Sequence, residues 1–161
     1  MRVLRTRAGL ASALALVLLL GAGAAASAAG GGLVAFHELS FGSRGFNMPG
    51  EQKQDVGRVL RSAPQAAAVL RSWGLDTSSL KSVDFSRQSL VVMLASYQPS
   101  GGYRARVMRL VVHGREAVLT ASVRREGGEW TTSDLERPWV VVTARRSALA
   151  AARGAVRVVR R

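Results

Sequence analysis

Few side chains in this sequence can do chemistry near neutral pH. It contains two histidines, His37 and His113, and no cysteine. Histidine ordinarily changes charge between pH 5 and 8, which makes these two the first candidates for acid–base or metal chemistry. They do not form the H-x-H or H-x-x-x-H spacing that brings two imidazoles to one metal. We therefore predict no metal site, and the lack of cysteine excludes thiolate and iron–sulfur chemistry.

Sequence motifs of the common catalytic and nucleotide-binding sites are missing as well. No G-x-S-x-G elbow, P-loop or G-x-G-x-x-G segment occurs. Five acids fall in or beside predicted turns, where solvated carboxylates are ordinary: Glu116, Glu126, Glu129, Asp134 and Glu136. We predict a protein that is not an enzyme and that uses no cofactor.

A turn with two adjacent glycines is the first candidate for a binding site. Glycine lets a backbone approach a partner closely and adopt positive φ. The same residues are also an ordinary way to connect two strands, and the sequence leaves both interpretations open. A tryptophan in a polar loop nearby completes the site. The predicted partner-binding residues are Pro99, Ser100, Gly101, Gly102, Tyr103 and Trp130.

Arginine dominates the charge of the chain. Of its 23 basic residues all but Lys53 and Lys81 are arginine, and the formal net charge is +13. Such a surplus favours anionic partners. No spacing of a nucleic-acid-binding motif is present, so we predict no nucleic acid as partner. The predicted anion-binding residues, on one face of a hairpin, are Arg104, Arg106, Arg109 and Arg124.

The N-terminus has the three regions of a secretory signal peptide. Arg2, Arg5 and Arg7 precede an apolar run, and Ala26-Ser27-Ala28 fits the small-residue cleavage pattern. We predict residues 1–28 to be the signal peptide and the product to be secreted, periplasmic or associated with the cell wall. The alternative is an uncleaved membrane tether, because 8–26 carries no charge. Without cysteine the exported domain has no disulfide.

The rest of the chain predicts one mainly β domain. Residues 29–50 are interpreted as a flexible linker with a first strand over 33–39 and a glycine-rich loop over 40–50, and residues 51–161 as the domain. The apolar segment 89–97 is typical of a strand covered on both faces. We predict an α+β fold, an antiparallel β-sandwich-like sheet with bulged hairpins and one packed helix.

That helix has clear start and stop signals. Ser62 and Gln65 have capping-box spacing, and Pro64 is tolerated in a first turn. Gly74 is placed to end the helix. One apolar face is predicted, formed by Ala66, Val69, Leu70 and Trp73.

One hairpin can be placed in register from its turn. Gly114-Arg115 suits a two-residue turn, which sets His113 opposite Glu116. Arg109 then faces Thr120, Leu110 faces Leu119 and Met108 faces Ala121. A one-residue bulge near Arg106 or Val107 restores the alternation and sets Arg104 opposite Arg124, where two like charges would either favour an anion or splay apart into solvent.

The segment over 83–142 resembles the PrcB C-terminal domain family of protease-complex-associated proteins. It has the V-D-F start at Val83, a P-S-G-G-Y turn at Pro99 and a late R-P-W-V-V-V strand at Arg137. Ser100 stands where the family commonly has threonine, and Arg137-Pro138-Trp139 stands where Ser-Pro-Tyr is common. The resemblance implies a non-catalytic extracytoplasmic domain that binds or stabilises a protease or another envelope protein.

The turn is also similar, more faintly, to the inhibitory loop of chagasin-like inhibitors of cysteine proteases. Gln98 stands where those inhibitors have asparagine, and Gly101 where they have a second threonine. This likeness implies an alternative function, direct protease inhibition through the 99–103 turn. A third interpretation is docking to an anionic envelope polymer or lipid through the arginine face.

Overall fold

The computed structural model describes residues 32–45, 54–99, 101–126 and 135–161. These residues form a mainly β fold with one α-helix, as the sequence predicts. The strands are β1 (Gly32–Leu33), β2 (Phe36–Gly45), β3 (Val56–Leu60), β4 (Gln88–Leu94), β5 (Tyr103–His113), β6 (Glu116–Arg125), β7 (Glu136–Arg145) and β8 (Ala155–Arg160). The helix is α1 (Ala63–Ser72), and short 3₁₀ helices cover Ser78–Ser82 and Ser147–Leu149.

The described strands belong to one sheet in the order β1-β5-β6-β8-β3-β4-β7-β2. This sheet is curled into a half-barrel, which takes the place of two separate sandwich layers. Neighbours are antiparallel except β6 and β8, which run parallel. The parallel pair arises because the chain leaves β7, crosses by the 3₁₀ turn at Ser147–Leu149 and inserts β8 between β6 and β3.

Two apolar clusters lie on the two sides of the sheet. One cluster, on the side away from α1, holds Val59, Val91, Met93, Leu110, Leu119, Val140, Val142 and Leu149. On the other side α1 packs over β3, β4 and β7 and buries Leu60, Ala66, Leu70, Leu90, Val92 and Val141. Strand β4 is therefore covered on both faces, as predicted for 89–97, but the strand ends at Leu94; residues 89–95 are buried, and Ser96 and Tyr97 are half-buried.

The predicted helix and its cap are confirmed. The Ser62 side chain accepts from the Gln65 backbone N–H at 3.4 Å, and the Gln65 side chain accepts from Arg61 N–H at 2.9 Å. The reciprocal bond thus reaches one residue further back than in the usual capping box. Gly74 has φ 63° and Leu75 N–H donates to Leu70 C=O, which closes the helix as glycine at this position permits.

The hairpin of β5 and β6 has the predicted register at most of its length. His113 pairs with Glu116, Leu110 with Leu119, and Arg104 with Arg124. The bulge was predicted near Arg106 or Val107 and lies between Val107 and Arg109. Val107 therefore opposes Ala121, and the predicted pairing of Met108 with Ala121 is wrong: Met108 is the bulged residue and is 61% exposed.

The first long strand is the main correction to the sequence-based elements. A strand over 33–39 followed by a loop was predicted, whereas β2 runs to Gly45 along β7. The glycine at 42 suits the strand because its missing Cβ makes room for the Trp139 ring, 2.9 Å from where a Cβ would stand. The predicted signal peptide lies outside the described residues. In the described part of the chain no helix has the length and apolarity to cross a membrane.

Candidate functional site

The 99–103 turn is anchored at its entrance by Gln98. Gln98 is buried, and its backbone exchanges hydrogen bonds with Glu136, N–H to C=O distances of 2.8 and 3.2 Å. The Gln98 side-chain amide also donates to the carbonyls of Ser96 and Tyr97, at 2.9 and 3.0 Å. The turn therefore leaves the sheet from a point that four hydrogen bonds hold in place.

The exit of the turn is held as well. Gly102 has φ 82°, a left-handed conformation that glycine adopts without strain, and its carbonyl accepts from Glu126 N–H at 2.8 Å. Pro99 and Gly102 are exposed, Gly101 is buried and Tyr103 is half-buried. The described part of the turn is thus a short exposed tip on a fixed base.

Two of the predicted partner-binding residues, Ser100 and Trp130, lie outside the described residues. The described residues that flank the segment containing Trp130 are Glu126 and Leu135. Glu126 hydrogen-bonds Gly102, and Glu136, next to Leu135, hydrogen-bonds Gln98. Both ends of that segment therefore start beside the turn.

Arg137 supports the base of the turn, and sequence reasoning assigned it no role. Its side chain is almost fully buried, with the residue 6% exposed. Its Nε donates to Ala95 C=O at 2.7 Å and an Nη to Gln54 C=O at 3.3 Å, while its guanidinium lies 5.2 Å from the Tyr97 ring centroid. Desolvation by burial lowers the pKa of Arg137. The available signal was a charged residue beside Pro138 at the start of an apolar strand.

A second unforeseen support joins β8 to the strand end before the turn. Arg160 binds both carboxylate oxygens of Asp55, at 2.7 and 2.6 Å, and Ser96 N–H donates to the same carboxylate at 2.7 Å. Burial alone would raise the pKa of Asp55, but the hydrogen bonds from Arg160 and Ser96 outweigh it and lower that pKa. Ser96, three residues before Pro99, is therefore fixed by a charged network.

The predicted arginine face is divided by counter-ions. Arg104 lies 2.9 Å from Glu38 and 3.4 Å from Glu126, and Arg106 lies 2.6 Å from Glu126. Arg109 and Arg124 are exposed and form no ion pair with any described residue. The opposition of Arg104 and Arg124 is confirmed, but Arg104 already has two carboxylates beside it.

A groove of about 300 Å³ runs across this arginine face. It is lined by Arg104, Arg106, Met108, Ser122, Arg124 and Glu126. Glu126 stands between the two paired arginines, so the positive potential of the groove is weaker than its arginine content alone indicates.

The remaining reactive side chains are dispersed in the described residues. His37 and His113 are exposed. No group of three or more histidine, aspartate or glutamate side chains within the described ranges is arranged to hold a metal ion. Asp84 of the V-D-F segment accepts from Ser86 N–H at 2.9 Å, as expected of a residue that stabilises a turn.

No protein-family model, curated protein or solved structure matches this chain. The fold and the site define it as a small mainly β protein with an anchored, exposed turn and a strongly basic surface.

Proposed function

We propose that this protein is an exported, non-catalytic binding module that holds an extracytoplasmic protein through its 99–103 turn. The observation that carries the proposal is the anchoring of an exposed turn at both ends, by Gln98 with Glu136 and by Gly102 with Glu126. A turn that keeps its shape before binding loses little conformational entropy on association. The resemblance to the PrcB C-terminal domain family supports an envelope protease, or a complex containing one, as partner.

A crosslinking experiment tests this function. A photoreactive side chain is placed at Pro99, at the exposed tip, and for comparison at Ala68 on the exposed side of α1. The function predicts a discrete adduct with an envelope protein from position 99 and none from position 68. Adducts of equal yield and pattern from both positions would contradict a turn-specific partner.

A backbone variant examines the shape of the turn. Gly102→Val places a β-branched side chain at φ 82°, a conformation that such residues rarely adopt. The yield of the adduct from position 99 should then fall at least tenfold. The thermal unfolding midpoint of the variant should stay within a few degrees of that of the parent protein. Undiminished crosslinking by this variant would exclude recognition of the turn's backbone.

Export is the second part of the proposal. Cell fractionation should recover the protein outside the cytoplasm, and N-terminal sequencing should begin after Ala28. A retained Met1 in the membrane fraction would favour the tethered form. A cytoplasmic protein would contradict export.

Direct inhibition of a cysteine protease is the alternative action of the same turn. Inhibition at micromolar protein concentration, lost in Gly102→Val, would identify it. If the protein slows none of a panel of papain-like proteases, the turn binds its partner without inhibiting it.

A second candidate function is docking to an anionic envelope surface. It is favoured by the exposed Arg109 and Arg124, which form no ion pair with a described carboxylate. Binding to vesicles with anionic lipid should fall steeply between 50 and 500 mM salt, because surface charges are screened. Binding that salt does not change would remove this function.

A further inference from the structure

A cleft lies at the far end of β5 from the 99–103 turn. Its volume is about 530 Å³, and its charged lining is contributed by the β5–β6 turn and by the entry to β8. We name it the hairpin cleft, defined by His113, Arg115, Glu116, Arg153 and Arg157, with Val156 beneath them. None of these residues belongs to the predicted arginine face or to the turn.

The backbone holds two of these arginines side by side. Arg153 N–H donates to Arg115 C=O at 2.8 Å, which joins the β5–β6 turn to the segment before β8. Gly114, in the same turn, has φ 56°, a left-handed conformation that glycine adopts without strain. Arg115 and Arg153 are therefore neighbours through a main-chain bond that does not depend on either side chain.

The charges of the cleft do not balance. Arg157 is paired with Glu116, Nε to carboxylate oxygen at 3.0 Å. Arg115 and Arg153 form no ion pair with any described residue, and both are exposed. Both arginines line the cleft, so it holds two positive charges that no described carboxylate pairs with, an arrangement in which an anion lowers the repulsion.

We propose that the hairpin cleft binds a phosphate monoester group. Such a group carries a charge of about −1.5 to −2 at pH 7, which matches the two uncompensated arginines, whereas a carboxylate carries one charge. Guanidinium groups bind phosphate oxygens with two parallel hydrogen bonds, and the exposed His113 lies on the same wall. The volume leaves room for part of the molecule that bears the phosphate.

The proposal does not rest on the function of the turn, because the two sites are at opposite ends of β5. Isothermal titration calorimetry of the purified protein with glycerol 3-phosphate measures the affinity for a phosphate monoester. Acetate at equal ionic strength is the control ligand with a single negative charge. Glycerol 3-phosphate should bind at least tenfold more tightly than acetate. Equal affinity for the two ligands would overturn the choice of phosphate.

Paired variants separate a site from general electrostatic attraction. Arg115→Ala with Arg153→Ala should weaken glycerol 3-phosphate binding at least tenfold. Arg71→Ala with Arg145→Ala removes the same net charge from exposed positions of α1 and β7, outside the cleft, and should change the affinity for glycerol 3-phosphate less than twofold. Equal weakening by both pairs would overturn the site, since it would mean that net charge alone attracts the ligand.

A third variant should act in the opposite direction. Glu116→Gln releases Arg157 from its ion pair and removes one negative charge from the cleft, so the net charge of the cleft rises by one. Binding should become severalfold tighter, and unchanged or weaker binding would contradict the charge argument. All five substituted side chains are exposed, so each variant should unfold at a temperature close to that of the parent protein.

Discussion

Arg104 on β5 reaches Glu38 on β2 with an Nη to carboxylate distance of 2.9 Å, across the open side of the half-barrel. The same guanidinium lies 3.3 Å from the centroid of the Phe41 ring, also on β2. Strands β5 and β2 are not hydrogen-bonded to each other. The Arg104 side chain therefore links β5 to β2 where the sheet does not close.

Replacing this arginine should loosen the half-barrel. Arg104→Met keeps most of the apolar length but removes the ion pair and the cation–π contact. We expect a loss of about 1–2 kcal/mol in the free energy of unfolding, measured by urea denaturation. Arg106→Met is the control: it also loses a bond to Glu126 but has no contact with β2 among those described, and should change stability by less than about 0.5 kcal/mol. Equal losses would contradict the bridging role.

Arg137 is expected to be necessary for the base of the turn. Arg137→Met would leave the carbonyls of Ala95 and Gln54 without this donor in a buried site. The free energy of unfolding should fall by about 1–3 kcal/mol. Arg145→Met, at the exposed end of the same strand, should cost less than about 0.5 kcal/mol in the same assay. If Arg137→Met leaves the free energy of unfolding unchanged, the buried hydrogen bonds contribute no net stability.

The Asp55–Arg160 pair predicts a dependence of stability on acid. The pKa of Asp55 is lower in the folded protein than its ordinary 3.8. Its contribution is therefore present above pH 3.8 and is lost as the pH falls through the lower folded-state pKa. Urea denaturation of the parent and of Asp55→Asn should differ by about 1–2 kcal/mol at pH 6, reduced by the partial exposure of Arg160. The difference should shrink toward pH 2, and a constant difference would contradict the linkage.

The acid dependence should be specific to Asp55. Asp76 and Asp84 also have lowered pKa values, chiefly through hydrogen bonds from Ser78 and Ser86, but both are unchanged in Asp55→Asn. Their contributions therefore cancel when the two proteins are compared. The change in the difference with pH reports the single carboxylate.

Close packing between β3 and β8 predicts a glycine requirement. A Cβ on Gly57 would stand 2.8 Å from the Val156 Cβ, whereas a Cβ on Gly154 would meet nothing within 4 Å. Gly57→Ala should lower the free energy of unfolding by about 1–3 kcal/mol because the strands must move apart. Gly154→Ala should change it by less than about 0.5 kcal/mol. The thermal unfolding midpoints of the two variants are compared. Equal midpoints would contradict the requirement for glycine at position 57.

Local features of the fold followed from neighbouring residues. The cap of α1 depends on Ser62 and Gln65, three positions apart, and the end of the helix on Gly74. The register of β5 and β6 follows from a two-residue turn that leaves few alternatives. The bulge was expected one or two residues from its observed position, because side-chain alternation indicates that a residue is extra without identifying which one.

Features that depend on distant segments were not predictable in this way. The length of β2 is decided by its pairing with β7, and the loop-like composition of 40–45 gave no sign of that partner. The parallel pairing of β6 with β8 depends on where the last strand inserts. Arg137 was not foreseen as a support because its acceptors lie on two other segments of the chain.

The arginines show most directly which properties follow from the sequence and which depend on the tertiary structure. The sequence by itself determined that the protein is strongly basic, has no disulfide and carries Arg104 opposite Arg124. Only the tertiary structure decided that Arg104 and Arg106 have carboxylates beside them, while Arg115 and Arg153 line a cleft whose described carboxylate, Glu116, is paired with Arg157. The physical reason is that a charge interacts over a few ångströms in space, and the residues at that distance are brought together by the fold.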